Sequence, residues 1–167
     1  RVLSINDKGE WELDKFDDIV DSRVKIVAAT QISNVLGVIN PIESLIGMAH
    51  AHNIPVLVDG AQGIVHTGVD VIAMGCDFYA FSAHKVYGET GSGILYGKRD
   101  LLEEMPPYMG GGDMVDTVTF EETSYAPLPL KFEAGTPNFI ANAALKPALD
   151  FAKEIREGEI GRAVATN

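Results

Sequence analysis

Two apolar runs of this chain each end abruptly at polar, titratable side chains, and this pattern is the strongest constraint on its fold. The runs cover residues 56–62 and 77–85. Their polar ends are Asp59 and Gln62 in the first run, and Ser82, His84 and Lys85 in the second. Short apolar runs of this kind are typical of buried parallel strands, and α/β sheets bind ligands at the carboxyl ends of such strands. The pattern therefore predicts a buried sheet with a ligand site at one edge.

The side chains at these two strand ends are suited to one cofactor. A partly desolvated lysine favours its neutral, nucleophilic amine, and we expect Lys85 to lie in such a position. Asp59, at the end of a buried strand, requires a positive partner. Pyridoxal phosphate meets both conditions, because a lysine forms a Schiff base with it and a carboxylate pairs with its protonated pyridine nitrogen. Two simpler interpretations remain open: a solvated turn for Lys85, and an N-cap or turn carboxylate for Asp59.

Five short motifs carry a resemblance to a known enzyme family. Val58–Gln62 and Phe81–Lys85 resemble the class V aminotransferase group of fold-type I pyridoxal phosphate enzymes. Ser33–Gly37, Gly91–Gly97 and Phe132–Asn138 are similar to group II cysteine desulfurases, the type that works with the SUF iron–sulfur assembly system. The motifs follow one another in the family's order along nearly the whole chain.

The resemblance implies a fold and a domain organisation. Ala83 stands where the family usually has Gly, and Glu89 where Pro is common, but neither departure removes a functional group. The implied fold is the fold-type I large domain, an α/β fold whose mixed, mostly parallel sheet is flanked by helices. Residues 1–155 are expected to form part of this cofactor-binding domain, and residues 156–167 to begin the connection to a small carboxyl-terminal domain. The parent protein is expected to have about 400 residues.

The resemblance also implies a role for each motif residue. Lys85 would form the Schiff base and move protons at the substrate Cα, while Asp59 would keep the pyridine nitrogen protonated. Gln62 and Asn34 would lie beside the phenolic oxygen of the cofactor, and Asn34 also near the substrate carboxylate. The cofactor phosphate would be bound by Ser82 and His84 and, across a dimer interface, by Gly135 and Thr136.

The implied reaction converts L-cysteine to L-alanine and leaves the sulfur as a persulfide on an enzyme cysteine. The resemblance places this reaction in a cytoplasmic homodimer that passes sulfur to an acceptor protein of the SUF system. The family's nucleophilic cysteine, its arginine for the substrate carboxylate and its ring-stacking histidine have no counterpart in this chain, so residues 1–167 alone are expected to be inactive. The alternatives are a selenocysteine lyase, another class V enzyme and, from a different class, a non-enzymatic α/β binding domain.

Composition narrows the possible partners. The 167 residues include 13 basic and 24 acidic side chains, for a net charge of −11, which argues against nucleic acid or an anionic membrane. No apolar run approaches the ~20 residues that span a bilayer, and no signal peptide is expected before Arg1. The single cysteine, Cys76, excludes an internal disulfide and is expected to be a small buried residue. His50 and His52 are two positions apart and so do not share a helix face, which argues against a metal site.

The rest of the pattern alternates between strands and helices. Strands are predicted at residues 1–5, 24–30, 54–58, 77–82 and 94–96, and helices at 11–20, 41–53, 71–75, 100–105 and 139–156. The glycine-rich residues 87–93 are interpreted as a hairpin connection rather than a phosphate-binding loop. His66 is expected in a loop, with a local structural hydrogen bond. Residues 106–131 are expected to form a long irregular loop that is functional or part of an interface.

Overall fold

A four-stranded sheet is the centre of the computed structural model, which describes residues 1–158. Its strands lie in the order β1 (Val27–Thr30), β2 (Val56–Asp59), β3 (Phe78–Ser82) and β4 (Gly93–Gly97). β1, β2 and β3 are parallel, and β4 pairs antiparallel with β3. This mixed, mostly parallel sheet confirms the predicted α/β fold. The antiparallel pair also confirms that residues 87–93 belong to a hairpin connection.

Helices occupy most of the segments between the strands. They are α1 (Phe16–Ile19), α2 (Ile42–Ala51), α3 (Gly63–His66), α4 (Val71–Met74), α5 (Arg99–Glu104) and α6 (Phe139–Glu157). Short 3₁₀ turns cover Leu13–Lys15, Ala83–Val86 and Leu130–Phe132. The helix α4 has both of its ends defined by sequence: Asp70 accepts the amide hydrogens of Ile72 and Ala73, and Gly75 ends the helix with φ of 76°.

The hydrophobic core has two parts. In the first, α2 packs its predicted apolar face (Ile42, Leu45, Ile46 and Ala49) against the sheet, together with Phe16 of α1. In the second, Ala83 and Val86 of the turn after β3 pack against Leu145 and Ala152 of α6. The second cluster matters for the site, because it fixes the turn that carries Lys85.

A buried carboxylate ties the sheet together at the amino end of β3. Asp77 is 5 % exposed, and it accepts hydrogen bonds at 2.7 Å from His50 Nε2, Lys98 Nζ and the Val56 amide. Burial by itself raises the pKa of this carboxyl, but the hydrogen bonds from Lys98, His50 and Val56 outweigh it and hold the pKa below its usual value. His50 therefore serves the fold through Asp77.

The second histidine of this pair is also engaged by an aspartate, since His52 bonds Asp17 Oδ1 at 2.9 Å. Within residues 1–158 no cluster of three or more potential metal ligands occurs. No helix of the same range is both long and apolar enough to cross a membrane.

Three expectations about local structure were wrong. Residues 1–5 do not form a strand; Ile5 makes only an isolated bridge to Trp11 across the turn at residues 6–9. His66 ends α3 rather than lying in a loop, and its side chain is exposed with no hydrogen bond to residues 1–158. The segment 106–131 is not irregular throughout, because it contains an antiparallel hairpin formed by β5 (Val115–Val118) and β6 (Thr123–Tyr125). The hairpin is exposed along both strands, so no apolar periodicity marks it in the sequence.

Candidate active site

The carboxyl ends of β1, β2 and β3 lie side by side at one edge of the sheet. Thr30 at the end of β1 pairs with Asp59 at the end of β2, and Asp59 pairs with Ala80 of β3. The turns that follow these strands carry most of the predicted site residues: Asn34 after β1, Gln62 after β2, and His84 and Lys85 after β3. The sequence prediction that these residues share one sheet edge therefore matches the register.

The turn after β3 directs Lys85 away from the core. In the 3₁₀ turn, Ala83 and Val86 are fully buried against α6, which leaves the intervening His84 and Lys85 exposed. Within residues 1–158 the Lys85 amine has no hydrogen bond or ion pair, and the partial desolvation expected from sequence is not provided by these residues. Ala83, at the position where the family usually has Gly, fills space in the core with its methyl group.

Asp59 is held in a tight turn. Its Oδ1 accepts the Ala61 amide hydrogen at 2.9 Å, which is the turn role that a simpler interpretation assigns to it. The side chain is nonetheless exposed, and Oδ2 has no partner among residues 1–158. One carboxylate oxygen is thus available at the strand end next to the Lys85 turn.

Asn34 and Gln62 are already paired across the gap between two strand-end loops. Gln62 Nε2 donates to Asn34 Oδ1, and the Asn34 amide nitrogen makes no hydrogen bond of its own within residues 1–158. The Asn34 loop is built by Ser33, whose hydroxyl accepts the Leu36 amide hydrogen at 3.1 Å, and by Gly37, whose φ is 70°. The side chains of Asn34 and Gln62, together with that of His66, line a cavity of about 330 Å³ that opens beside the strand ends.

Gly135 and Thr136 lie in the loop before α6. Gly135 has φ of 80°, and its amide donates to the Gly112 carbonyl at 2.9 Å. Thr136 is exposed, and no hydrogen bond connects it with the strand-end residues within residues 1–158. Ser82, at the end of β3, is half-buried and its hydroxyl caps no backbone amide of the turn.

Cys76 lies at the opposite edge of the sheet, before the amino end of β3. It is fully buried, as expected from sequence. Burial, and secondarily the charge of Asp77, raises the pKa of its thiol. A buried protonated thiol at the far edge of the sheet cannot serve as a nucleophile at the strand-end site.

A hydrogen-bonded pair beneath the site was missed by sequence reasoning. The Tyr79 hydroxyl donates to Gln31 Oε1 at 2.7 Å, and both side chains are buried. The signal for it was the tyrosine inside an apolar strand, since a buried tyrosine hydroxyl usually has a partner. The identity of that partner, 48 positions away, is not visible in the sequence.

The strand-end site and the sheet that carries it define an α/β domain of the fold-type I pyridoxal phosphate class. The sequence matches the aminotransferase class-V family over residues 1–165. The chain therefore belongs to the aminotransferase class-V family.

Several relatives share this fold and much of the sequence. The chain is 51 % identical to a cysteine desulfurase of Cronobacter sakazakii over 156 residues, 93 % of this chain and 38 % of the relative. The crystal structure of the Escherichia coli cysteine desulfurase CsdA matches 96 % of this chain and 40 % of that one, with 42 % identity and a TM-score of 0.87. The apo structure of a Thermococcus onnurineus cysteine desulfurase matches 93 % of this chain and 39 % of that one, with 31 % identity and a TM-score of 0.86. The chain thus spans about two fifths of the length of these relatives.

Proposed function

We propose that this chain is the cofactor-binding part of a pyridoxal phosphate-dependent cysteine desulfurase. The observation that carries the proposal is a lysine amine and a carboxylate oxygen that have no partner within residues 1–158 and lie at the ends of adjacent strands. The chain is also 51 % identical to a cysteine desulfurase over 156 residues. Residues 1–155 belong in this proposal to the large domain. The expected connection to a small domain, residues 156–167, lies almost wholly outside the described residues.

The residues present fit the cofactor chemically. When bound, pyridoxal phosphate supplies an electron sink for negative charge that develops at the Cα of an amino acid. Lys85 offers an exposed amine for the cofactor aldehyde. Asp59 offers Oδ2, which has no partner in the described part of the chain, to hold a proton on the ring nitrogen. The Asn34 amide group, oriented by Gln62, can donate to an oxygen of cofactor or substrate.

The remaining roles concern binding of the phosphate and assembly. We assign Ser82 and His84 to the phosphate, because both stand at the end of β3 with no side-chain partner among residues 1–158 that would have to be displaced. Thr136 is exposed and has no side-chain hydrogen bond within residues 1–158, which is compatible with a contact to the phosphate site of a second subunit. Gly135, with its positive φ, lets the backbone turn at that point. A homodimer is accordingly part of the proposal.

The overall reaction transfers sulfur between two thiols. The Cβ–S bond of L-cysteine breaks as an enzyme thiolate forms an S–S bond to the departing sulfur, and the electron pair left on the carbon skeleton takes up a proton. L-Cysteine and one enzyme thiol thus become L-alanine and one enzyme persulfide, without an added oxidant. Lys85 moves the protons at the substrate Cα. The acceptor thiol belongs outside this chain in our proposal, because Cys76 is buried and lies at the far edge of the sheet. Delivery of the persulfide to a SUF acceptor protein for iron–sulfur assembly, in the cytoplasm, completes the proposed function.

The test is a product assay on the full-length protein loaded with pyridoxal phosphate. With L-cysteine and a reductant we expect stoichiometric alanine and sulfide, and no alanine from the Lys85→Ala variant. A Cys76→Ala variant is the matched control and should retain wild-type turnover. The ratio of kcat/KM for L-cysteine and L-selenocysteine separates a desulfurase from a selenocysteine lyase. A protein that binds no cofactor and releases no alanine would instead be the non-enzymatic binding domain.

A further inference from the structure

Tyr79 occupies the space directly beneath the turn that carries Asp59. A methyl group built on Gly60 would lie 1.9 Å from Tyr79 Cζ and 2.1 Å from its hydroxyl oxygen, so the phenol tip lies against the Gly60 backbone. Tyr79 is 2 % exposed, and burial raises the pKa of its hydroxyl well above the usual range. The hydroxyl is therefore a fixed hydrogen-bond donor, and it donates to Gln31.

Gln31, directly after β1, connects the ends of β1 and β2 with strand β3. Its amide donates to the Asp59 carbonyl at 2.9 Å, and its carbonyl accepts the Asn40 amide hydrogen, which closes the loop carrying Asn34. Its side chain accepts from Tyr79 on β3 and donates to the Thr67 hydroxyl, just after α3, at 3.3 Å. Backbone and side chain of this one residue therefore bond to the β2 end, the β3 strand and the end of the α3 segment.

The Gly60-Ala61-Gln62-Gly63 segment is shaped around this pair. A methyl group on Gly63 would lie 1.8 Å from Gln31 Oε1, as one on Gly60 would overlap Tyr79. Neither glycine is among those with positive φ, so it is the space occupied by Tyr79 and Gln31, and not backbone conformation, that requires glycine at both positions. Asp59 and Gln62 flank these contacts directly in sequence.

We infer that the Tyr79–Gln31 pair is a positioning device for the cofactor site. Its two side chains contact the backbone of the turn between Asp59 and Gln62 from below, and so fix where the Asp59 carboxylate and the Gln62 amide are presented. Both side chains are buried, so they act through Gly60, Gly63 and the Asp59 carbonyl. The part of this role that concerns the cofactor rests on the proposed function.

The test compares two tyrosine-to-phenylalanine variants of the full-length protein. Tyr79→Phe keeps the ring beneath Gly60 and removes the hydrogen bond to Gln31. Tyr96→Phe is the matched control, because Tyr96 is the β4 residue that pairs with Tyr79. This variant also loses one tyrosine hydroxyl, but not the one that bonds Gln31. The first readout is amide hydrogen exchange without cofactor, followed at Gln31, Gly60 and Ala61. The second is the dissociation constant for pyridoxal phosphate, from a titration of the visible absorption of the bound cofactor.

We expect Tyr79→Phe, and not Tyr96→Phe, to speed exchange at these amides about fivefold to tenfold, the equivalent of one buried hydrogen bond. Amides at the other end of the same strands, Val27 and Asp77, should exchange as in the wild type. The dissociation constant for pyridoxal phosphate should rise by a similar factor, about fivefold to tenfold.

Equal exchange in the two variants, or faster exchange at both ends of the strands alike, would overturn the positioning role. An unchanged cofactor dissociation constant in Tyr79→Phe would also contradict it. If wild-type protein binds no pyridoxal phosphate, the proposed function fails, while the exchange readout still decides whether the pair positions the turn.

A second pair of variants covers the case in which Tyr79→Phe does not fold. Gly63→Ala displaces the Gln31 side chain while Tyr79 is left intact. Gly68→Ala is its control, because a methyl group there meets only Arg156 Nε, at 3.8 Å. Gly63→Ala should reproduce the local exchange and the weaker cofactor binding, and Gly68→Ala should show neither. The same response from both alanine variants would contradict the inference.

Discussion

Replacing Asp77 by asparagine should destabilise the fold far more than the same change at an exposed aspartate. The substitution keeps an oxygen that can accept the Val56 amide hydrogen, but it removes the negative charge that pairs with Lys98 and that accepts the hydrogen bond from His50. Breaking a fully buried ion pair costs about 3–5 kcal/mol. The side chains of Lys98 and His50 are 44 % and 38 % exposed, so in the variant water can still solvate them, and this reduces the cost of losing the carboxylate. We therefore expect a loss of about 2–3 kcal/mol at neutral pH.

The measurement is urea denaturation of the wild type and the variant, with the difference in unfolding free energy followed as a function of pH. The pKa of Asp77 is lower in the folded protein than in the unfolded chain, so its contribution is fully present above the usual aspartate pKa of about 4. The contribution is lost as the pH falls through the lower, folded-state pKa. The gap between wild type and Asp77→Asn should therefore be constant above about pH 5 and close in more acidic solution.

The matched control is Asp17→Asn, because Asp17 also bonds a histidine, His52, but its side chain is 71 % exposed. An exposed pair contributes about 0–1 kcal/mol, so this variant should unfold almost as the wild type does. Equal losses from the two substitutions, or a gap that widens in acid, would refute the reasoning that burial and charge pairing make Asp77 a structural anchor.

Two further predictions concern the site. Asp59→Asn should lower kcat for alanine release by about 100- to 1000-fold, the equivalent of roughly 3–4 kcal/mol for a well-placed electrostatic partner. A near-wild-type kcat would show that the carboxylate only stabilises the turn through its hydrogen bond to the Ala61 amide. Cys76→Ala should cost about 1 kcal/mol of stability and leave alanine release unchanged. Native protein should resist alkylation at Cys76, because burial raises the pKa of its thiol. Loss of alanine release in this variant would show that Cys76 is a nucleophile after all.

The strand-end site was largely predictable from sequence because its signals are local. An apolar run that stops at Asp59, and another that stops before Lys85, each mark the carboxyl end of a strand without knowledge of any contact. Parallel pairing then places both ends on one edge, as the register of β1, β2 and β3 confirms. The helix α2 was predictable for the same reason, since its buried face repeats at helical spacing.

What the sequence did not reveal depends on contacts between distant residues. Tyr79 and Gln31 are 48 positions apart, and Asp77 is 27 positions from His50, so no local pattern pairs them. The exposed hairpin of β5 and β6 has no buried face and thus no alternating pattern to read. The exposure of Lys85 was also missed, because burial at a strand end depends on which segments lie above it.

The most direct test of the central claim is the identity of the lysine that binds the cofactor. Full-length protein loaded with pyridoxal phosphate is reduced with borohydride, digested and mapped by mass spectrometry. We predict one modified peptide with the pyridoxyl group on Lys85, and none in the Lys85→Ala variant. A stoichiometric adduct on Lys98, which pairs with Asp77 at the opposite edge, or on Lys25, which donates to the Ser22 carbonyl, would contradict the claim.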